Sequence, residues 1–325
     1  MCLMSSRPTV TLSDVMLRRL KLKPLLIFDR VLQSGSIVRA ARELSLTQPA
    51  VTKAIQELEE DLEVPLFERT NRGVVPTSYG LLLGERVKSV IAELRYLTDE
   101  LNSFRSGDTG NVIVGTLISA SARLLPRTIA LMKTRRPGIL VTVREAPTDR
   151  LFPALATGEL DLVIGRLPES DLPLARMFAL THTALYDTAM CVVVARDNPL
   201  ATSAGLRLAE LATHPWILPL NESPARLAAE RMFLDAGLQV PANLVESLSL
   251  LTNIGLMQDL GAIGLMARDV ADHFVRLGLL AILDLGDIGR FGTIGYSVRT
   301  DRAPAPAAAH FIACLREAAA LSQER

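Results

Sequence analysis

Leu83, Val87, Val90, Leu94, Leu97, Leu101 and Phe104 follow one another at intervals of 4, 3, 4, 3, 4 and 3 residues. An unbroken 3-4 alternation over three heptads describes one long helix whose apolar seam wants a second helix beside it. With Pro76 just ahead, the pattern predicts a helix from about Thr77 to Phe104 and self-association through those seven residues. The charge pattern leaves parallel and antiparallel pairing open. Such a helix divides the chain, and the segments on either side must each bury a core of their own. Ser106-Gly-Asp-Thr-Gly-Asn111 predicts a flexible joint after it. A length of 325 residues with 49% hydrophobic composition allows two or three domains and excludes global disorder.

The segment before the seam, about Leu22 to Gly80, reads as short helices. Leu22, Leu25, Leu26, Phe28, Val31 and Leu32 recur at helical spacing, Gly35 offers a left-handed cap, and Ser36 can cap the next helix. That helix, Ile37 to Leu44, carries Ala40 and Ala41 where a neighbouring helix can cross closely. After Ser45-Leu46, Thr47 caps a third helix with Pro49 in its first turn. Val51, Ile55, Leu58 and Leu62 form its apolar stripe, while Pro49, Lys53, Gln56 and Glu60 lie opposite. Two helices joined by a tight turn predict a helix-turn-helix, whose second helix enters the major groove by its N-terminal part. Gln48, Pro49, Ala50, Thr52 and Lys53 are small or hydrogen-bonding there; an ordinary three-helix core is the alternative reading. A hairpin follows, turning at Asn71-Arg72-Gly73. Arg69 and Arg72 on it suit a wing gripping phosphates or a minor groove.

Charge supports a nucleic-acid face only when it is resolved locally. The formal net charge is zero. Yet Arg18, Arg19, Lys21, Lys23, Arg30, Arg39, Arg42 and Lys53 face only Asp29 and Glu43 over the same span, whereas Ala54 to Glu68 holds six acidic residues and no basic one.

Beyond Asn111, strand and helix alternate. Val112–Gly115, Leu140–Glu145 and Leu160–Gly165 read as strands, with helices at Leu124–Arg135 and Leu151–Thr157; this order implies a parallel sheet. A second group has strands at Ala189–Ala195 and Trp216–Pro219, helices at Leu206–Ala212, Pro224–Ala236 and Leu248–Leu260, and extended stretches at Val240–Glu246 and Ala262–Ala267. Leu279–Leu283 and Thr293–Val298 are extended, with a return to the first sheet open to them, and a helix spans Pro306 to about Leu321. Two small α/β lobes with a crevice between them fit this order. Ligands of such folds sit beyond the carboxyl ends of the strands. That rule selects Ser119, Ala120 and Ser121 after the first strand, Thr148 after the second and Arg166 after the third. In the second lobe it selects Asn221, Ser223 and Pro224.

Catalytic and metal signatures are missing from the sequence. No phosphate-loop, dinucleotide-binding, nucleophile-elbow or His-Glu-x-x-His motif occurs. His182, His214, His273 and His310 are dispersed, and Cys2, Cys191 and Cys314 fit neither a disulfide framework nor a zinc site. The chain is therefore expected to be no enzyme and to carry no catalytic cofactor or metal. No stretch reaches the 18–20 or so apolar residues of a spanning helix, and the first twenty lack the build of a signal peptide, so no membrane association and a cytoplasmic location are expected.

Three segments carry a resemblance. Ser34-Gly-Ser-Ile-Val-Arg-Ala-Ala-Arg-Glu-Leu44, Leu46-Thr-Gln-Pro-Ala-Val-Thr-Lys53 and Leu58-Glu-Glu-Asp-Leu-Glu-Val-Pro-Leu-Phe-Glu-Arg69, followed by Pro76-Thr-Ser-Tyr-Gly80, are similar to the N-terminal signature of LysR-type transcriptional regulators. The resemblance implies a winged helix-turn-helix, a dimerising coiled-coil linker helix and a two-lobed α/β effector domain like type 2 periplasmic binding proteins. It also implies a homodimer assembling into a dimer of dimers, promoter DNA and RNA polymerase as partners, and a small-molecule co-inducer, an organic acid or sugar-like metabolite. The family's DNA contacts fall on Gln48, Pro49, Ala50, Thr52, Lys53, Arg69 and Arg72, and its pocket positions on Ser119, Thr148 and Arg166. Thr52 and Lys53 depart from the Ser and Arg of many members, and Lys lacks the two-pronged reading of guanine. Trp216-Ile-Leu-Pro and Val245-Glu-Ser resemble a subgroup regulating sugar-uptake and aromatic-acid genes.

The expected division is an N-terminal extension at 1–21, a DNA-binding domain at 22–80, a linker helix at 81–106, a first lobe at 110–180 with 272–325, and a second lobe at 181–271. Two rivals share parts of this plan. A solute-binding protein would use the lobes but needs export and no basic head; a two-domain enzyme needs a reacting group.

Overall fold

The computed structural model describes residues 20–70, 73–106, 109–168, 179–221, 224–286 and 288–323. The chain divides into two compact units, the first ending at Thr98 and the second beginning at Asp99, with Thr157–Glu159 grouped with the first.

The first unit contains α1 (Leu22–Ser34), α2 (Ile37–Glu43), α3 (Gln48–Leu62), the hairpin strands β1 (Phe67–Thr70) and β2 (Gly73–Pro76), and the long helix α4 (Ser78–Ser106) as far as Thr98. Local chemistry sets each boundary. Gly35 ends α1 in the left-handed region, φ 63°, and its N–H donates to Val31. Ser36 and Thr47 cap α2 and α3 by accepting from the N–H groups of Arg39 and Ala50. Phe28, Val31, Ala40, Val51, Ile55, Leu58 and Leu66 form one buried core. Glu59 fastens the wing to α3, its Oε1 accepting from Leu66 N at 2.7 Å and Phe67 N at 3.2 Å. Gly73, at φ 139°, lies so near the Gly35 carbonyl that a β-carbon would stand 2.5 Å from it.

The seam expected on α4 is only partly free. Val87 is buried in the core of the first unit, and Leu83 packs against the same cluster. Val90, Leu94, Leu97 and Leu101 are exposed in the single chain. The side chain of Phe104 lies outside the described residues. The regular 3-4 spacing therefore runs from buried into exposed positions, which spacing alone does not distinguish.

The second unit is built on a sheet of order β4-β3-β5-β11-β6-β9-β7-β8, with β10 also pairing β6. In chain order the elements are β3 (Gly110–Thr116), α5 (Ile118–Ser121), α6 (Leu124–Arg135), β4 (Ile139–Glu145), α7 (Thr148–Ala156), β5 (Leu162–Arg166), β6 (Leu180–Ala195) and α8 (Leu208–Leu211). Then come β7 (Trp216–Leu218), α9 (Pro224–Asp235), β8 (Leu244–Glu246), α10 (Leu250–Asp259), β9 (Ile263–Ala267), α11 (Arg268–Arg276), β10 (Leu280–Ile282), β11 (Arg290–Arg299) and α12 (Pro306–Gln323). β3 pairs in parallel with β4 and β5, as β7 does with β8 and β9. β11 runs antiparallel to β5 and β6. Alternate residues feed two faces: Met190, Val192 and Val194 join Trp216 and Phe233, while Cys191, Val193 and Ala195 join Ile217 and Met257.

Three expectations change here. β6 is sixteen residues long and begins at Leu180, well before the expected Ala189. Its first half pairs with β11 and its second with β9 and β10, so β6 belongs to both lobes. β10 stays with the second lobe instead of returning to the first sheet. The lobe boundaries move accordingly. Leu185 and Tyr186 pack on the first lobe's core, whereas Ala271, Leu280 and Leu283 are buried in the second. The second lobe thus runs from Ala189 to about Gly289 rather than from 181 to 271, and it contains helix α11, which the pattern had not revealed.

Candidate functional site

On α3, Val51, Ile55 and Leu58 are buried, which turns Gln48, Pro49, Ala50 and Lys53 outward to full exposure and leaves Thr52 on the flank. The predicted reading residues thus share one open face. Gln56, one turn beyond Thr52, stands exposed on it as well. Lys53 Nζ lies 3.6 Å from Glu57 Oε1, and Arg30 and Arg39 both approach Glu43. These pairs are exposed and therefore weak, so phosphates can displace the acidic partners. Arg69 is exposed on β1; Arg72 lies outside the described residues.

In the second unit, the carboxyl ends of the strands gather the predicted pocket residues of the first lobe. Thr116, the last residue of β3, is buried, and Ser119 Oγ accepts from the N–H of Arg166 at 3.1 Å. Ser121 Oγ donates to Glu145 Oε2 at 2.8 Å, and Ala120 is buried in the core behind them. Thr148 opens α7, half-buried. Ser119 and Ser121 are therefore fastened to their neighbours.

Arg166, expected among the pocket residues, also makes a ring contact. Its guanidinium lies over the Phe291 ring, 5.4 Å from the centroid. Gly292, at φ 129°, makes room for it: a β-carbon there would stand 2.6 Å from Arg166 Nε. Phe291, on β11, packs against the second lobe's core, so Arg166 reaches from β5 to a residue at the junction of the lobes. Charge over a ring face is favourable, more so where water is excluded.

In the second lobe, Asn221 is exposed; Ser223 and the side chain of Pro224 lie outside the described residues. The sequence reading missed two polar devices here. Arg226 is buried and bridges Glu230, Glu246 and the carbonyl of Pro219, tying α9 to the ends of β7 and β8. Asp269, in the first turn of α11, accepts from Tyr186 Oη at 2.8 Å and Thr188 Oγ1 at 2.6 Å. Burial, and then the Asp269 charge, push the Tyr186 hydroxyl far up, so it stays a donor. The only local sign of these is an ionisable residue within or beside an apolar strand. Burial also pushes the Cys191 thiol up to about 12, as suits a core residue. Among the described residues, no group of three or more His, Cys, Asp or Glu is placed to hold a metal ion. No helix among them is long and apolar enough to cross a membrane.

His182 gives the domain a pH dependence. Its Nδ1 lies 2.7 Å from the buried Ser297 Oγ, and its Nε2 is buried without a hydrogen-bond partner among the described residues. Burial holds this imidazole below its ordinary value. The unfolded chain then binds the proton first, so stability is full above about pH 6.5 and falls as pH drops below it. His273 is lowered as well, first by burial, and adds the same sign. Melting temperatures between pH 7.5 and 5.5 are expected to fall less for His182→Gln than for wild type; equal slopes would remove His182 from the account.

Comparison with known proteins agrees across both units. Residues 22–81 match the family described as "Bacterial regulatory helix-turn-helix protein, lysR family", and residues 105–320 match "LysR substrate binding domain". The HTH-type transcriptional regulator GbpR of Azospirillum brasilense is 29% identical over 310 residues, spanning 94% of this chain and 89% of its own. The HTH-type transcriptional regulator PcaQ of Agrobacterium fabrum is 30% identical over 308 residues, 93% and 96% of the two chains. Among solved structures, full-length CbnR complexed with its target DNA shares the fold with a TM-score of 0.68 at 21% identity, covering 92% of this chain and 100% of that one.

Proposed function

The chain belongs to the LysR family of DNA-binding transcriptional regulators, and on that premise we propose that it is switched by a small metabolite held in the crevice of its two-lobed domain. The observation that carries this reading is a single chain holding both parts. It has an exposed recognition face on α3 and a second unit whose parallel strands end in hydroxyl and carboxylate groups. Gln48, Pro49, Ala50, Thr52 and Lys53 are the base- and phosphate-contacting residues in this account, with Arg69 and Arg72 on the wing. The effector, an organic acid or a sugar-like metabolite, sits beyond the ends of β3, β4 and β5 and changes the angle between the lobes. β6 and β11, which the lobes share, are where that angle changes; β11 carries register shifts at Arg290/Gly292 and Ile294/Gly295. Paired α4 helices in a dimer, and a dimer of dimers, then set the spacing of the DNA-binding heads at a promoter, where RNA polymerase is the further partner. The protein works in the cytoplasm on this reading.

Lys53→Ala tests the recognition face. Titration of a genomic fragment selected by the protein is expected to show roughly tenfold weaker binding and a salt slope lower by about one. Unchanged affinity and slope would take α3 off the duplex.

A further inference from the structure

Thr157-Gly-Glu159 groups with the first unit, although the chain reaches these residues from α7 and leaves them into β5. Gly158, at φ 80° in the left-handed region, makes the tight turn possible. Its carbonyl accepts from an Nη of Arg95 at 3.0 Å, and Glu159 Oε1 lies 3.0 Å from Lys88 Nζ. Lys88 and Arg95 stand seven positions apart on α4 and so share one side of it. Thr157 Oγ1 donates to the same Glu159 oxygen at 3.0 Å, which fixes the carboxylate in place.

The Lys88–Glu159 pair is better shielded than its neighbours. Its side chains are 32% and 27% exposed, whereas those of the other ion pairs described in the head range from 42% to 77%. Asp29 of α1 belongs to the same cluster. Burial raises its carboxyl above the ordinary value, Gln33 and Lys88 oppose that, and Glu159 adds to it.

At the far end of α7 stands Thr148, one of the residues of the proposed effector crevice. The nine residues between it and the turn span about 13 Å. Leu151, Phe152 and Leu155 of α7 are buried with Leu160 and Val163, and the N–H of Leu160 donates to Ala154 O at 3.1 Å. Helix and turn are therefore one packed piece, with a crevice residue at one end and the contacts to α4 at the other.

We propose that Thr157–Glu159 is a latch: held by Lys88 and Arg95 it ties α7 to the linker helix, and an effector that shifts α7 at Thr148 releases it. This rests on the crevice being the effector site. The signal reaches α4 through the turn, in addition to the covalent joint that follows the helix.

The test is hydrogen–deuterium exchange of the full-length protein, read over peptides spanning 148–160, with and without the genomic fragment that the protein selects. Glu159→Gln and Lys88→Gln each remove one charge of the pair, and the double variant removes both. Without DNA, each single variant is expected to exchange about fivefold faster over 157–160, as suits loss of a half-buried pair. The double variant should be no faster than either, because all three break one interaction. Coupling between two sites is reciprocal, so fragment binding should change the wild-type rate at least threefold and leave the variants' rates alone. Single variants no faster than wild type, or a double variant showing the product of the two effects, would overturn the latch. A wild-type rate that the fragment leaves unchanged, or one that changes equally in the variants, would overturn its part in signalling. Promoter footprints with candidate metabolites judge the underlying reading separately: if none alters the footprint the effector role fails, while the exchange rates still decide the latch.

Discussion

Leu97→Glu combined with Leu101→Glu is expected to yield a folded monomer whose promoter affinity is lower by about a hundredfold or more. In the single chain Leu97 is 52% and Leu101 61% exposed, on the part of the α4 seam that the first unit's own core leaves uncovered. Burying a leucine fully is worth about 1.5–3 kcal/mol, and the seam repeats in both partners. The glutamates would also set four carboxylates against one another in a dimer. Once paired heads separate, the second binding event ceases to be intramolecular, and avidity of the order of 10²–10⁴ disappears. Light scattering gives the mass and fluorescence anisotropy the affinity. Val87→Glu is the informative control, because Val87 is buried in the head. It should lower the melting temperature of the first unit, whereas the double variant should leave it alone. A double variant that stays dimeric would remove this stretch of α4 from the interface.

Arg226→Ala is expected to cost the effector domain about 3 kcal/mol, or roughly 6–10 °C in melting temperature for a domain of this size. The side chain is only 7% exposed; its Nε lies 2.8 Å from Glu230 Oε1 and an Nη 2.9 Å from Glu246 Oε1. Removing the cation strands two carboxylates and the carbonyl of Pro219. Those carboxylates keep part of their hydration, at 37% and 41% exposure, which places the loss at the lower end of the range for broken buried pairs. Arg226→Lys should recover only part of the loss, since a point charge cannot bridge both acids. DNA binding by the head should persist at 25 °C. A melting temperature within about 2 °C of wild type, under 1 kcal/mol at this size, would show that the bridge is not holding the lobe.

The head was legible from its residues because its signals are local. Gly35, Ser36, Thr47 and Pro49 each impose a backbone state within three or four positions, and the structure places the helix boundaries beside them. The parallel strands β3 and β5 announced themselves as apolar runs, as strands covered on both faces do, and β4 by its Ile139-Leu-Val141 start although it lies half exposed at the sheet edge. The first half of β6 did not. Leu180–Thr188 carries half-exposed residues such as Thr181, Thr183 and Asp187, and its partner β11 lies more than a hundred positions along the chain. α11 escaped for a related reason: Arg268-Asp-Val-Ala-Asp-His-Phe-Val-Arg276 is mostly polar, and only Val270 and Ala271 are fully buried.

Of the candidate sites, the α3 face followed from helical geometry alone. In the second unit, Ser119, Ser121 and Thr148 were singled out by their position at strand ends, but their hydrogen-bond partners were not. That Arg166 would lie on Phe291, and that Glu145 would meet Ser121, depends on pairings of strands and loops that no local pattern encodes. Spacing likewise merged two stretches of α4 into one, because a residue buried in its own core and one left exposed in the single chain recur with the same period.

Protection mapping of a genomic promoter fragment by the purified protein, with and without the bound metabolite, tests the central claim most directly. The account predicts two protected half-sites near one helical turn apart, or a multiple of it, whose spacing or extent changes when the ligand is added. A protein that protects no fragment better than random competitor DNA, or whose pattern no crevice ligand alters, would contradict it.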